Sequence, residues 1–233
     1  MHAPAAPVIP SELLLLAYRH GIFPMADRRD DPEVYWVEPR RRAILPLRGL
    51  RVSRSLAKTI RQERFRVTCN AAFAEVIAAC AEPRPGHPES WISARIAASY
   101  RALHAQGHAH SIECWRGDEL VGGLYGVGIG GAFCGESMFS RTDDASKVAL
   151  AWLVALMRRA GARLLDCQFM TDHLASLGAV EISQARYVAL LGEAVGDGAG
   201  DAVPRAFGAL EGEASGAGVP SAKLILQSLT QTS

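Results

Sequence analysis

Paired cysteines, long apolar runs and net charge are all scarce in this chain of 233 residues. Its five cysteines, Cys69, Cys80, Cys114, Cys134 and Cys167, are odd in number, scattered and never spaced as CxxC. That argues against a disulfide framework and a zinc cluster and fits reduced thiols. No stretch approaches the roughly 20 consecutive apolar residues of a transmembrane helix, so no membrane partner is expected. The opening MHAPAAPVIPSELLLLAYRHG lacks the basic flank and small-residue cleavage site of a signal peptide, which makes the cytoplasm the expected compartment. What the chain has is apolar content. At 49% hydrophobic and 21% charged it can bury a real core, as one large domain or one domain with a small appendage.

The formal net charge of +1 conceals a local excess. Residues 40 to 66 carry ten basic residues (Arg40, Arg41, Arg42, Arg48, Arg51, Arg54, Lys58, Arg61, Arg64 and Arg66) against the single acid Glu63, a net +9. Clustered Arg and Lys attract polyanions, which makes nucleic acid a candidate partner; for a charge run taken alone, a solvated surface helix is the favoured account.

Punctuation by Pro, Gly and turn residues divides the chain. Residues 1–48 read as a small, irregular N-terminal domain with a helix ending at Gly21 and short strands in VYWV and AILPL. Residues 49–195 read as one regular domain. Helices are expected in SRSLAKTIRQER, NAAFAEVIAACAEP and ISARIAASYRALHAQG. An antiparallel meander follows in HSIECWR, LVGGLYGVGIGG and AFCGESMFS, with its first turn at Gly117-Asp118. Next come a long helix in ASKVALAWLVALMRR, the strand LLDCQF, a short helix, the edge strand VEIS and a last helix. Residues 196–233, with GDGAGD and GEASGAG, read as a low-complexity, weakly ordered tail. The fold class is α/β (α+β), in the element order of a GCN5-related acetyltransferase-like domain.

Domains of that order commonly bind an acyl-CoA pyrophosphate at a Gly-rich loop before the long helix. Here the loop is SRTDDASK, without glycine, and Asp143 and Asp144 would repel a pyrophosphate. Asp166 and Gln168, two apart on a strand, share a face that Cys167 does not. They suit either a functional pair or a structural pair that satisfies buried backbone. Glu136 is a carboxylate inside an apolar strand. Gly135 before it is a natural place for a bulge that re-aims the next side chain, letting Phe133 and Glu136 face one site. His104, His108 and His110 straddle a helix end and a strand start with no completing carboxylate or cysteine, so no metal is expected.

The blocks AYRHGIFP (17–24), SWI (90–92), GHAHSIE (107–113), ELVGGLYGV (119–127), FCGESMFS (133–140), ASK (145–147), DCQ (166–168) and HLASLGA (173–179) occur in this order. Together they resemble the bacterial leucyl/phenylalanyl-tRNA–protein transferases, over residues 12 to 191. The resemblance implies transfer of Leu or Phe, and Met less well, from aminoacyl-tRNA to proteins with N-terminal Arg or Lys, which are then degraded through the N-degron pathway. It implies no cofactor and no metal, and a monomer is expected. It further implies a catalytic group of Asp166, Gln168 and Glu136, with Glu136 holding the donor's amino group and Asp166 polarising the Gln168 carboxamide. Leu124, Phe133, Met138, Leu153 and Leu165 match the donor side-chain pocket. Trp91 matches a tryptophan on the terminal adenosine, and Arg40, Arg41, Arg42, Arg54, Lys58 and Arg61 become the tRNA-facing charge. Met25 stands where the family commonly has a second aromatic. The competing expectations are a CoA-dependent N-acetyltransferase and a non-catalytic tRNA-binding module.

Overall fold

In the computed structural model, residues 8–83, 89–196, 201–213 and 222–230 are described. The first helix, α1 (Ser11–Arg19), buries Leu14 and Tyr18 and stops before Gly21, whose φ of +76° a β-carbon would strain. Strands β1 (Phe23–Met25) and β2 (Tyr35–Val37) form a two-stranded antiparallel sheet. The chain then enters a larger sheet through β3 (Arg41–Ile44). Helix α2 (Arg54–Arg61) starts where the Ser53 hydroxyl accepts the Leu56 N–H at 3.1 Å, and it buries Leu56 and Ile60. Strand β4 (Arg66–Cys69), helix α3 (Phe73–Cys80) and helix α4 (Ala94–Ala105) follow.

The meander is formed by β5 (Ala109–Arg116), β6 (Glu119–Ile129) and β7 (Ala132–Ser140). Helix α5 (Ala145–Arg159) then crosses to β8 (Leu164–Gln168), which runs parallel to β7. Asp144 at its start and Arg158 and Arg159 at its end complement the helix dipole. The short α6 (Asp172–Ser176), β9 (Val180–Ser183), α7 (Gln184–Val195), α8 (Ala202–Glu213) and α9 (Ala222–Thr230) complete the order.

Seven strands lie in the order β4-β5-β6-β7-β8-β3-β9, all pairs antiparallel except β7 with β8. The class is the mixed α+β expected, with β9 at an edge. Two apolar clusters line the sheet. One joins residues of α2, α5, α8 and α9, among them Leu56, Leu153, Phe207 and Ile225; the other joins α1, α3, α4 and α7, through Leu14, Ile77, Tyr100 and Leu191.

Two expectations change. Strand β3, grouped with the N-terminal segment by sequence, sits in the main sheet between β8 and β9. The tail is ordered where it is described: Val203, Phe207, Ala222 and Ile225 are buried against the core. Each large apolar side chain so buried contributes about 1.5–3 kcal/mol, enough to hold short helices that composition alone marks as weak. The expectation over residues 197–200, 214–221 and 231–233 lies outside the described residues.

Candidate active site

The site begins at an irregularity in the meander. Between β6 and β7 the register steps from Tyr125 opposite Ser137 to Gly126 opposite Gly135, so Glu136 is the extra residue of a β-bulge. The bulge directs Glu136 and Phe133 to the same cavity despite their odd spacing. Gly126 makes room for this turn of the chain. A β-carbon there would lie 2.3 Å from the Cys134 carbonyl oxygen and 2.5 Å from the Phe133 ring.

Glu136 is only 8% exposed, yet its carboxylate is met by three donors. Tyr18 from α1 donates to Oε1 at 2.6 Å, Tyr100 from α4 donates to Oε2 at 3.0 Å, and the Gln168 amide nitrogen donates to Oε1 at 3.0 Å. The Tyr18 and Tyr100 hydroxyls also touch one another. Burial raises the Glu136 carboxyl from its ordinary value to about 7 against the pull of these hydrogen bonds, with Asp166 adding a smaller push upward. Near neutral pH the group is therefore poised between acid and carboxylate, and a cation beside it would favour the carboxylate.

Asp166 on β8 is wholly buried and surrounded by donors. Arg42 of β3 donates from Nε to Oδ1 at 2.9 Å and from Nη2 to Oδ2 at 2.6 Å. Tyr187 of α7 donates to Oδ2 at 2.9 Å, and the backbone N–H of Gln168 donates to Oδ1 at 2.8 Å. The Arg42 guanidinium also donates to the Gly21 carbonyl at 2.8 Å and lies over the rings of Phe23 and Tyr187. A bidentate pair of this geometry offsets the desolvation of both ions. Gln168 has a φ of +61°, a left-handed conformation unusual for a side chain of its kind, and its N–H bond to Asp166 holds it there. Because its –NH₂ faces the Glu136 carboxylate, its carboxamide oxygen remains the acceptor available to a further group.

Arg42 is thus not on a nucleic-acid surface. At 1% exposure, with its charge matched by Asp166, it supports the site from below. Arg40, Arg54, Lys58 and Arg61 are exposed, the last three on α2; Arg41 is exposed and paired with Glu181 at 2.7 Å. The expected polarisation of the Gln168 carboxamide by Asp166 also takes another form, since Asp166 contacts the Gln168 backbone and the carboxamide reaches Glu136.

The cavity measures about 730 Å³, within the range of small-molecule sites. Leu124, Phe133, Met138, Leu153 and Leu165 line it together with Glu136, Asp166 and Gln168, and Trp91 and Met25 belong to its wall. Its apolar surface disfavours charged side chains through their desolvation. Cys167 also lines it, but burial, reinforced by Asp166, pushes its thiol far up, and Cys134 is raised in the same way. Neither is a thiolate at neutral pH. At the start of α5 the backbone N–H groups are engaged within the chain, Ala145 with the Thr142 carbonyl at 3.1 Å and Ser146 with the Ser140 hydroxyl at 3.2 Å. Asp144 adds its carboxylate there, bonded to Lys147 at 3.0 Å. That helix start offers a pyrophosphate little. Among the described residues, no group of three or more His, Cys, Asp and Glu side chains is arranged for a metal ion.

Sequence reasoning missed Tyr18, Tyr100 and Tyr187. Their signal was available: each lies on the buried side of a helix, where a phenol needs a hydrogen-bond partner.

Known proteins agree with the motifs. The family model for leucyl/phenylalanyl-tRNA protein transferase matches residues 44–192, and that for the N-terminal domain of the same transferase matches residues 9–40. A leucyl/phenylalanyl-tRNA–protein transferase of Novosphingobium aromaticivorans is 60% identical, over 97% of this chain and 97% of its own. One from Rhizorhabdus wittichii is 63% identical, over 82% of this chain and 77% of its own. One from a Ruegeria species is 51% identical, over 96% of this chain and 98% of its own. With both family models matched in order and relatives similar along nearly the whole length, the chain belongs to the leucyl/phenylalanyl-tRNA–protein transferase family of aminoacyltransferases.

Proposed function

We propose that this chain transfers Leu or Phe, and Met less well, from aminoacyl-tRNA to the α-amino group of proteins that begin with Arg or Lys, marking them for degradation through the N-degron pathway. The observation that carries this reading is the placement of a buried, three-fold hydrogen-bonded carboxylate, Glu136, on the wall of an apolar cavity of about 730 Å³. That arrangement matches an amino acid with a free amine and an apolar side chain.

In this reading Leu124, Phe133, Met138, Leu153 and Leu165 enclose the donor side chain, and the Glu136 carboxylate holds the donor ammonium by a charge-assisted hydrogen bond. Trp91 stacks on the terminal adenosine. Arg40, Arg41, Arg54, Lys58 and Arg61 contact backbone phosphates, which position the tRNA without reading its sequence. The aminoacyl ester is already activated, so peptide-bond formation needs alignment and proton management. The attacking α-amine, with a reference pKa of about 7.7–8.0, loses its first proton before attack. One of the two N–H groups of the resulting –NH₂ donates to the Gln168 carboxamide oxygen, which aims the lone pair at the ester carbonyl carbon. One of these two hydrogens stays as the amide N–H of the product. The new C–N bond forms as the bond from that carbon to the ribose oxygen breaks, and the nitrogen's proton ends on the departing oxygen. Asp166 acts on this step through the Gln168 backbone. The protein works as a monomer in the cytoplasm, where charged tRNA is found.

The test is a mixture of purified protein, labelled Phe-tRNA and an Arg-starting peptide. A Phe-Arg N-terminus is expected, and absence of transfer overturns the proposal.

A further inference from the structure

The donor pocket has a rear wall outside the residues matched by the family models. Phe133 lines the cavity, and its ring lies against the bare Gly126 backbone on one side. Elsewhere the ring meets Phe207 of α8, at a centroid distance of 5.8 Å and an interplanar angle of 20°. Phe207 is itself fully buried and stacks on His110 of β5 at 4.3 Å and 12°, so three rings lie nearly parallel. The helix that brings Phe207 is fastened to the β6–β7 turn, since Val203 N–H donates to the Gly130 carbonyl at 2.9 Å. Val203 also packs over Gly128, where a β-carbon would come within 2.9 Å of its side chain. Helix α8 follows residue 192, the last matched position, and none of its described residues lines the cavity.

We infer that Phe207 is a positioning residue for donor selectivity: it fixes the Phe133 ring from behind and thereby sets the depth of the apolar pocket. The physical reason is packing. A ring with close contacts on its inner side keeps one position, whereas a void behind it lets it recede and lengthens the cavity in front. Leu fits the shallower pocket and loses contacts when the wall withdraws; a bulkier donor tolerates or uses the added depth. A methylene of mismatch in an apolar pocket is worth about 10-fold to 200-fold in discrimination, so a small displacement has a measurable effect.

This inference rests on the donor pocket proposed above, and it is tested by binding without transfer. Leucyl-, phenylalanyl- and tryptophanyl-amides of 3′-amino-3′-deoxyadenosine are titrated calorimetrically into the full chain. For Phe207→Ala the expected result is weaker leucyl binding and a rise of about ten-fold in the ratio of tryptophanyl to leucyl affinity. Phe207→Leu, which refills most of the space, should keep the ratio within about two-fold of the parent. Ile225→Ala removes a buried tail residue of α9 and should lower thermal stability without moving the ratio. A Phe207→Ala ratio that stays at the parent value, or an equal change in Ile225→Ala, overturns the role of Phe207. Tight binding of the leucyl and phenylalanyl amides by a protein that transfers nothing would instead count against the proposed reaction.

Discussion

Asp166 grips Gln168 by the backbone: its Oδ1 accepts the Gln168 N–H at 2.8 Å, while the Gln168 carboxamide turns away to Glu136. With Arg42 and Tyr187 supplying the other donors, both oxygens of the Asp166 carboxylate are engaged within the protein.

Removal of either residue should therefore have different consequences. Asp166→Ala leaves Arg42 buried without its counter-ion and is expected to cost about 3–5 kcal/mol of stability as well as transfer activity. Gln168→Gly should abolish most transfer yet be at least as stable as Gln168→Ala, by about 1 kcal/mol, because glycine accepts the φ of +61° without strain. Urea denaturation beside the transfer assay separates the two, and a stable, inactive Asp166→Ala would contradict the assignment.

Glu136 makes stability fall with alkalinity. Its folded pKa of about 7 lies above the ordinary 4.5, so between those values the folded protein retains a proton that the unfolded chain releases. Unfolding free energy should decline across that window, by on the order of 3 kcal/mol, and level off above it. Glu136→Gln should remove this decline while weakening binding of an aminoacyl-adenosine at neutral pH by about 10-fold to 100-fold, the worth of a charge-assisted hydrogen bond. Denaturation at pH 5 and pH 8 checks the first expectation.

Exposed and buried arginines should part company in a salt titration. A triple variant, Arg54→Ala with Lys58→Ala and Arg61→Ala, is expected to fold normally and bind tRNA more weakly. The slope of log K against log salt should fall by about 2 to 3, one phosphate contact per residue removed. Arg42→Ala should instead destabilise the fold, measured by its thermal midpoint, and its residual tRNA binding should keep the parent slope.

Loss of Trp91 should weaken binding of the terminal nucleoside alone. Trp91→Ala is expected to cost about 1–3 kcal/mol in binding of an aminoacyl-adenosine. Equal loss for a free amino-acid ester lacking adenosine would contradict the stacking role.

The meander was legible because its alternation and the Gly117 turn are local signals, and the bulge could be read from Gly135 beside a core-strand acid. Strand β4 was not, since RVTC gives four residues of alternation between two stronger helical patterns. Arg42 was misread for a deeper reason. A charge count cannot register that one arginine of three in a row alternates inward and meets an aspartate 124 positions away. The tail misled in the opposite sense, its glycine content outweighing the few residues, Phe207 and Ile225 among them, that find partners in the folded core.

The tyrosine pair at Glu136 also bears on the order of events during synthesis. Tyr18 reaches Glu136 across 118 positions, and Gln168 closes the set from a further 32 beyond it. Tyr187 and Arg42, which hold Asp166, are 145 apart. A ribosome-bound chain that has not yet released β8 and α7 therefore has not assembled the proposed site. Unfinished copies of the protein would lack the means to draw on the pool of charged tRNA that their own translation consumes.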